Sequence, residues 1–335
     1  MTSKSFRLGS SLESFLRTEH QHHKHMTTGI ATLLRAMAEG GKATREAIVQ
    51  AGLATDSRPG PMDTVNASGD RQQKLDLLAH DIWVSTLANT RAVCSIISEE
   101  AVNQVELHTA TGLYIVAIDP LDGSSNVPVN APAGTIFSIY QRLSPLASSI
   151  SQAEVLQPGR RQVAAGYLLY GTSMLFVYAT ADGVHQFTYD PSSDTFKLTQ
   201  PGLRLPPGGY TYAINGGYYE GFPTYVQQYI QRCRSQGMGV RYTGALVADF
   251  HRHLLQGGIY LYPPTRTHPR GKLRLMFEGN AMAFIAEQAG GMAINGVQPT
   301  LDIIPTDIHE RTSLYVGSAH MVRELSSLAT HQTAM

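Results

Sequence analysis

Residues 117–126 read AIDPLDGSSN. The apolar run LYIVAI (113–118) delivers Asp119 at its end, and Asp122 follows as the chain enters a Gly-Ser turn. A short, continuous apolar run suits a strand buried on both faces, so the stretch reads as a strand ending where α/β sheets bind ligands. Ser124, Ser125 and Asn126 are small polar residues suited to opening a helix, whose free N–H groups and partial positive charge attract anions. Carboxylates beside an anion site repel a phosphate unless divalent cations lie between them. Two metals about 4 Å apart, clamping attacking and leaving oxygens, provide that arrangement. An Asx turn with an N-cap accounts for the same residues equally well.

Three further stretches bear on the choice. VCSIISEE (93–100) ends another apolar run on Glu99 and Glu100, and at a strand end one carboxylate is free to ligate metal while its neighbour meets the attacking water. GKLRLMFE (271–278) alternates, which predicts a strand with Lys272, Arg274, Met276 and Glu278 on one face. Two cations and a carboxylate on one face suit phosphate at one end and metal at the other. GDRQQKLD (69–76) sets Asp70, Lys74 and Asp76 at a helix start, directly after a Pro/Gly/Asn-rich segment (57–69) that reads as a long loop of the functional kind. Each stretch alone also fits an ordinary solvated face, a helix ion pair or an amphipathic strand.

Working outward, 335 residues are long for one compact core, so two domains or one large α/β domain are expected, and 42% hydrophobic with 16% charged residues is ordinary for a folded protein. Twenty-six basic residues balance 26 acidic ones, so no net field favours nucleic acid or an anionic membrane, and any anion is caught locally. Cys94 and Cys233 match no metal spacing and read as reduced thiols. No stretch has the apolar core of a signal peptide or the length of a membrane span, so a cytoplasmic protein is expected. EHQHHKH (19–25) reads as a solvated, histidine-rich face.

Residues 27–54 read as two helices broken near Gly40-Gly41, and 72–88 as a helix with Leu75, Leu78, Ala79 and Ile82 on one stripe. GTIFSIY, AAGYLLYG and SMLFVYAT are further strands, and PTYVQQYIQRCRSQ and GNAMAFIAEQAGG are helices, the second capped by its glycine pair. PGLRLPPGG (201–209) is the candidate domain junction. The mixture predicts layered α/β architecture.

The chain closely resembles the class I fructose-1,6-bisphosphatases, within the metal-dependent, lithium-sensitive sugar phosphatase superfamily. The motifs that carry the resemblance are GDRQQKLD, SEE, DPLDGSSN, GTIFSIY, LQPGRRQVAAGYLLYG, RYTGALVADFHR, LYP, GKLRLMFE and IPTDIH, spanning residues 27–318. It implies an αβαβα sandwich of two domains, residues 1–200 with the metal-binding strands and 201–335 with the sugar-phosphate site, usually in a homotetramer. By position, Glu99, Asp119, the Leu121 carbonyl, Asp122 and Glu278 bind magnesium, with manganese as the alternative and two or three ions per site. Glu100 acts as base or orients the water, Asp76 supports it, and Asp70 holds a further metal or its waters. Residues 57–69 match a loop that closes over the site.

The 1-phosphate of the sugar bisphosphate sits on Gly123, Ser124, Ser125 and the Arg274 side. Asn215, Tyr218, Tyr242 and Tyr262 hold the 6-phosphate, Lys272 reaches sugar and phosphate, and Arg241 reaches the 6-phosphate of a neighbouring subunit. The implied reaction releases the 1-phosphate of fructose 1,6-bisphosphate, a step of gluconeogenesis or the Calvin cycle.

Departures from the family pattern are Pro128 where an Asp is usual, Gln73 in place of a lysine, and Ala281 in place of a proline. TTG (27–29), Leu113-Tyr114 and Gln141 stand where the animal AMP site has a TGE-type helix start, a Lys-Tyr pair and an Arg; two cationic phosphate partners are missing, so AMP inhibition of that kind is not expected. Sedoheptulose-1,7-bisphosphatase activity and a non-catalytic sugar-phosphate-binding role are the rival readings.

Overall fold

The strand that delivers Asp119, Tyr114–Asp122, lies in an eight-stranded sheet between parallel Val93–Ser98 and antiparallel Ala133–Gln141. A computed structural model describes residues 7–53, 61–65, 71–108 and 110–333. Beyond Ala133–Gln141 the sheet continues antiparallel through Gln162–Tyr170, Met174–Thr180, Gly183–Asp190 and Thr195–Gln200, and Val105–Glu106 closes the opposite edge. Tyr114–Asp122 is buried along its whole length, which is why its sequence is continuously apolar as far as Ile118 rather than alternating.

Period-2 alternation sends successive side chains of this sheet into different layers. Val116, Ile118, Phe137 and Phe176 meet helices Leu12–His22, Thr28–Leu53 and Lys74–Ala88, with Phe15, Leu34 and Trp83 filling the interface. Tyr167, Val177 and Ala179 point the other way, onto helices Leu246–Gln256 and Asn280–Gln288. Those helices also cover a five-stranded sheet, in the order Gly239–Val240, Thr211–Ala213, Ile259–Tyr262, Leu314–Gly317, Met292–Ile294. Its far face, carrying Tyr212, Leu261 and Tyr315, packs on helices Thr224–Ser235 and Ala319–Thr333. The layers are therefore helix, sheet, helix, sheet, helix, as the resemblance implies.

Several elements differ from expectation. In place of two helices a single one, Thr28–Leu53, continues unbroken through Gly40-Gly41. A Cβ on Gly40 would lie 2.5 Å from the Trp83 ring, and one on Gly41 2.0 Å from Leu168. The glycines are close-approach sites, not breakers. On Lys74–Ala88 the buried stripe is Leu75, Ala79, Trp83 and Leu87, and it takes in Asp76; Leu78, expected on the stripe, is 47% exposed, and Ile82 is half-buried. Within the expected loop 57–69, Pro61–Val65 is a strand paired antiparallel with Arg71–Gln73, and the remainder lies outside the described residues.

The predicted strand 271–278 is not formed. Only Leu273–Arg274 is strand, and Leu275–Gly279 is a wide π-helical turn leading into Asn280–Gln288. Leu273 to Glu278 are all buried, so the alternation does not mark a water-facing side. The segment 201–209 lacks regular structure as predicted, but Leu203 and Leu205 are buried, their N–H groups donating to Val184 O (2.7 Å) and Ala289 O (2.9 Å). In the histidine-rich stretch, His23 lies 3.4 Å from Glu19, four residues back, and 3.4 Å from Asp182, the second a contact across the fold that spacing along the chain does not reveal. Cys94 and Cys233 are buried free thiols. No described helix is long and apolar enough to cross a membrane.

Candidate active site

Asp119 and Asp122 are three apart, which on a regular strand would place them on opposite faces. The ladder to Ala133–Gln141 slips between them: Asp119 opposes Ile136 and Asp122 opposes Gly134, so three steps on one strand match two on the other. This bulge turns both carboxylates to one side. Thr135 Oγ1 donates to Pro120 O at 2.8 Å, and the Leu121 N–H donates to Asp119 Oδ1 at 3.0 Å, fixing the bulge.

The side they share faces the π-helical turn. Glu278 reaches back to accept the Arg274 N–H at 2.7 Å, and carboxylate oxygens of Asp119, Asp122 and Glu278 all lie within 4.8 Å of one another. All three residues are buried. An all-oxygen, all-carboxylate donor set of this compactness fits a hard divalent cation.

Electrostatics point the same way. Burial, then repulsion from Glu99, Asp122 and Glu278, holds the Asp119 carboxyl well above its usual range. Burial pushes Asp122 up to about 7 against the opposing hydrogen bonds from Val247 and Leu246, and burial with Glu99 pushes Glu278 up to about 8. Burial and mutual repulsion both favour the protonated carboxyls, and a divalent ion in the cluster opposes that by stabilising their charged forms.

Around the cluster, Glu99 follows the end of Val93–Ser98 and pairs with Arg274 Nη1 at 2.8 Å. The next residue, Glu100, is half-buried, its N–H donating to Ser98 Oγ at 3.3 Å. Asp76 is buried on its helix, and Asp70 lies outside the described residues. Gly123 adopts φ 75° and begins a 3-10 helix, Ser124–Val129, that contains Pro128. The expected helix opening at Ser124 is thus only six residues long, too short for a macrodipole, and its local contribution is N–H groups. A Cβ on Gly123 would come 2.5 Å from the Ala245 Cβ, so glycine is required for both conformation and room.

Tyr262, Tyr242 and Tyr218 act on one another electrostatically, and burial first, then Tyr242, Glu278, Tyr218 and Asp122, raises the Tyr262 phenol. Tyr242 and Tyr262 are half-buried and Tyr218 is exposed. Burial, then Asp249, raises the Tyr242 phenol, and a hydrogen bond with Asn215 partly opposes that rise. Lys272 is exposed beside buried Arg274. Arg241 is exposed next to the edge strand Gly239–Val240 and donates to Val240 O at 2.7 Å.

Sequence reasoning missed how the two halves are fastened. Asp122 Oδ2 accepts the Val247 N–H at 2.7 Å, capping helix Leu246–Gln256, whose own N-cap is Ala245. Asp249 accepts the Thr243 N–H at 2.9 and 3.1 Å, and Asn126 Nδ2 donates to Thr243 O at 3.1 Å. The signal was a helix start in YTGALVADFHR with no Ser, Thr, Asn or Asp at the cap.

A layered α/β fold whose bulged strand brings two buried carboxylates to a third in an all-oxygen cluster is the kind of fold and site that a metal-dependent phosphatase uses. Family profiles for the fructose-1-6-bisphosphatase N-terminal and C-terminal domains match residues 10–201 and 205–330. A fructose-1,6-bisphosphatase class 1 from Amoebophilus asiaticus (strain 5a2) is 53% identical over 315 residues, covering 94% of this chain and 95% of that protein. The holo Leishmania major fructose-1,6-bisphosphatase superposes with a TM-score of 0.89 at 30% identity, covering 97% of this chain and 100% of that one. Its apo form gives 0.84 at 29% identity, covering 96% and 99%. The chain belongs to the fructose-1,6-bisphosphatase family.

Proposed function

We propose that the protein hydrolyses the 1-phosphate of fructose 1,6-bisphosphate, giving fructose 6-phosphate and phosphate. The observation that carries this reading is the buried Asp119, Asp122 and Glu278 cluster, with ligand oxygens within 4.8 Å, in a chain 53% identical to a class 1 fructose-1,6-bisphosphatase. That identity favours the six-carbon substrate over the seven-carbon one, and catalysis over mere binding.

Glu99, Asp119, the Leu121 carbonyl, Asp122 and Glu278 would hold Mg2+, with Mn2+ as substitute. Such ions would offset the charge of the cluster and supply electrostatic stabilisation for the phosphoryl group and the leaving alkoxide. Glu100 takes the proton of the attacking water, Asp76 supports it, and Asp70 contributes to a further ion or its waters. Arg274 exchanges its Glu99 partner for the 1-phosphate, which also meets the Gly123, Ser124 and Ser125 segment. Asn215, Tyr218, Tyr242 and Tyr262 donate to the 6-phosphate, which is recognised without being cleaved. Lys272 spans sugar and phosphate.

The exposed edge position of Arg241 supports its service to a neighbouring copy, in a homotetramer. Two buried free thiols are consistent with a reducing cytoplasm. The test is phosphorus NMR of the reaction in Mg2+, comparing fructose 1,6- with sedoheptulose 1,7-bisphosphate. Fructose 6-phosphate as sugar product with faster turnover of the six-carbon substrate supports the reading; release of the distal phosphate, or no release, contradicts it.

A further inference from the structure

Glu278 projects from a π-helical turn, an unusual backbone that needs a reason to persist. In Leu275–Gly279 the Asn280 N–H donates to Leu275 O, five residues back rather than four. One additional residue in a turn changes side-chain phase by about 100°. Were the turn to relax to α-helix, Glu278 would swing away from Asp119 and Asp122. Something therefore holds it.

The holding group is Asn280, which is fully buried. Its Nδ2 donates to Tyr140 Oη at 3.1 Å and lies 3.8 Å from Met276 Sδ, inside the turn itself. Its main-chain carbonyl accepts from Gln162 Nε2 at 2.9 Å, and the same amide donates to Gly159 O at 2.8 Å. A Cβ on Gly159 would stand 2.7 Å from Asn280 Oδ1, so that side is closed as well. Tyr140 stands on Ala133–Gln141, the strand whose Ile136 faces Asp119 across the ladder.

The pair thus pins the element carrying Glu278 to the sheet carrying Asp119. Apolar side chains would fill this space without burying an amide and a phenol. A polar pair is a directional tie that specifies one placement of the turn.

We propose that Asn280, with Tyr140 as its partner, is a positioning residue for the cation site: it touches neither substrate nor metal, but fixes Glu278 where it can ligate. This deepens, and rests on, the reading of Asp119, Asp122 and Glu278 as metal ligands. Groups that orient ligands typically change metal affinity roughly 10–100-fold when removed.

The experiment is Mn2+ binding to the full-length protein without sugar, followed by electron paramagnetic resonance, for wild type, Asn280→Leu, Tyr140→Phe and Glu278→Gln. Steady-state KM for fructose 1,6-bisphosphate is measured at saturating metal, and Tm alongside. The expected result is a Kd for Mn2+ raised roughly tenfold or more in Asn280→Leu, a smaller rise in Tyr140→Phe, and a KM within about twofold of wild type. Tyr140→Phe removes a single oxygen and carries the test should Asn280→Leu not fold. A lowered Tm with unchanged Mn2+ affinity in both variants would mean packing only and overturn the proposal. Unchanged Mn2+ binding in Glu278→Gln would instead overturn the ligand reading beneath it.

Discussion

A single bulged residue between Asp119 and Asp122 decides whether the two carboxylates join one cluster. Without it the two carboxylates would face different layers. The sequence made the pair legible, because a turn needs only one such residue, but not the slip in the ladder, which depends on the partner strand. The cluster's raised carboxyls, Asp122 at about 7 and Glu278 at about 8, have a consequence for metal uptake. Protons must leave before oxygens ligate, so metal binding releases protons and tightens as pH rises through that range. Calorimetric titration with Mg2+ at pH 7 in buffers of differing ionisation enthalpy should show a buffer-dependent heat; a buffer-independent heat contradicts this. Gly123→Ala should cost both stability and activity, since a φ of 75° and the approach to Ala245 each exclude a side chain. An active variant of wild-type Tm would disprove that dual constraint.

At the scale of elements, hydrophobic pattern located most helices and strands and failed where burial is uniform. Residues 271–278 alternate in sequence, yet Leu273 to Glu278 are buried, so alternation carried no information about a water-facing side. Gly40-Gly41 looked like a break because glycine is a poor helix former, whereas the tertiary contact with Trp83 requires it. That contact reverses a familiar substitution. Gly→Ala inside a helix normally stabilises by up to ~1 kcal/mol. Gly40→Ala must instead displace the buried Trp83 ring, and a loss of about 1–3 kcal/mol is expected. Urea denaturation monitored by Trp83 fluorescence reads it directly, and a gain in stability would refute the packing argument.

For the molecule as a whole, two sheets and three helical layers join through buried groups that also respond to acid. His185, His251 and His253 are buried in the fold, and burial lowers each to about 4 from an ordinary 6.5. Below that ordinary value the unfolded chain takes up protons that the folded one refuses, so stability falls as pH drops from about 6.5 toward 4. Between pH 7 and 5.5 the loss is about 1 kcal/mol per histidine. His253→Gln should shrink the difference between denaturation curves at those two pH values; an unchanged difference excludes this histidine as a source.

The layered architecture and the family were legible in the motifs. The ties between layers were not, because Asp122 to Val247, Glu99 to Arg274 and Asn280 to Tyr140 each join residues distant in the chain. The central claim is that carboxylates on two such distant segments act as one site in phosphate release. Its most direct measurement is Mg2+-dependent phosphate release from fructose 1,6-bisphosphate by wild type, Glu99→Gln and Asp119→Asn. Turnover by the wild type that is abolished in both variants is the predicted result; near-normal Mg2+-dependent turnover in either variant would contradict it.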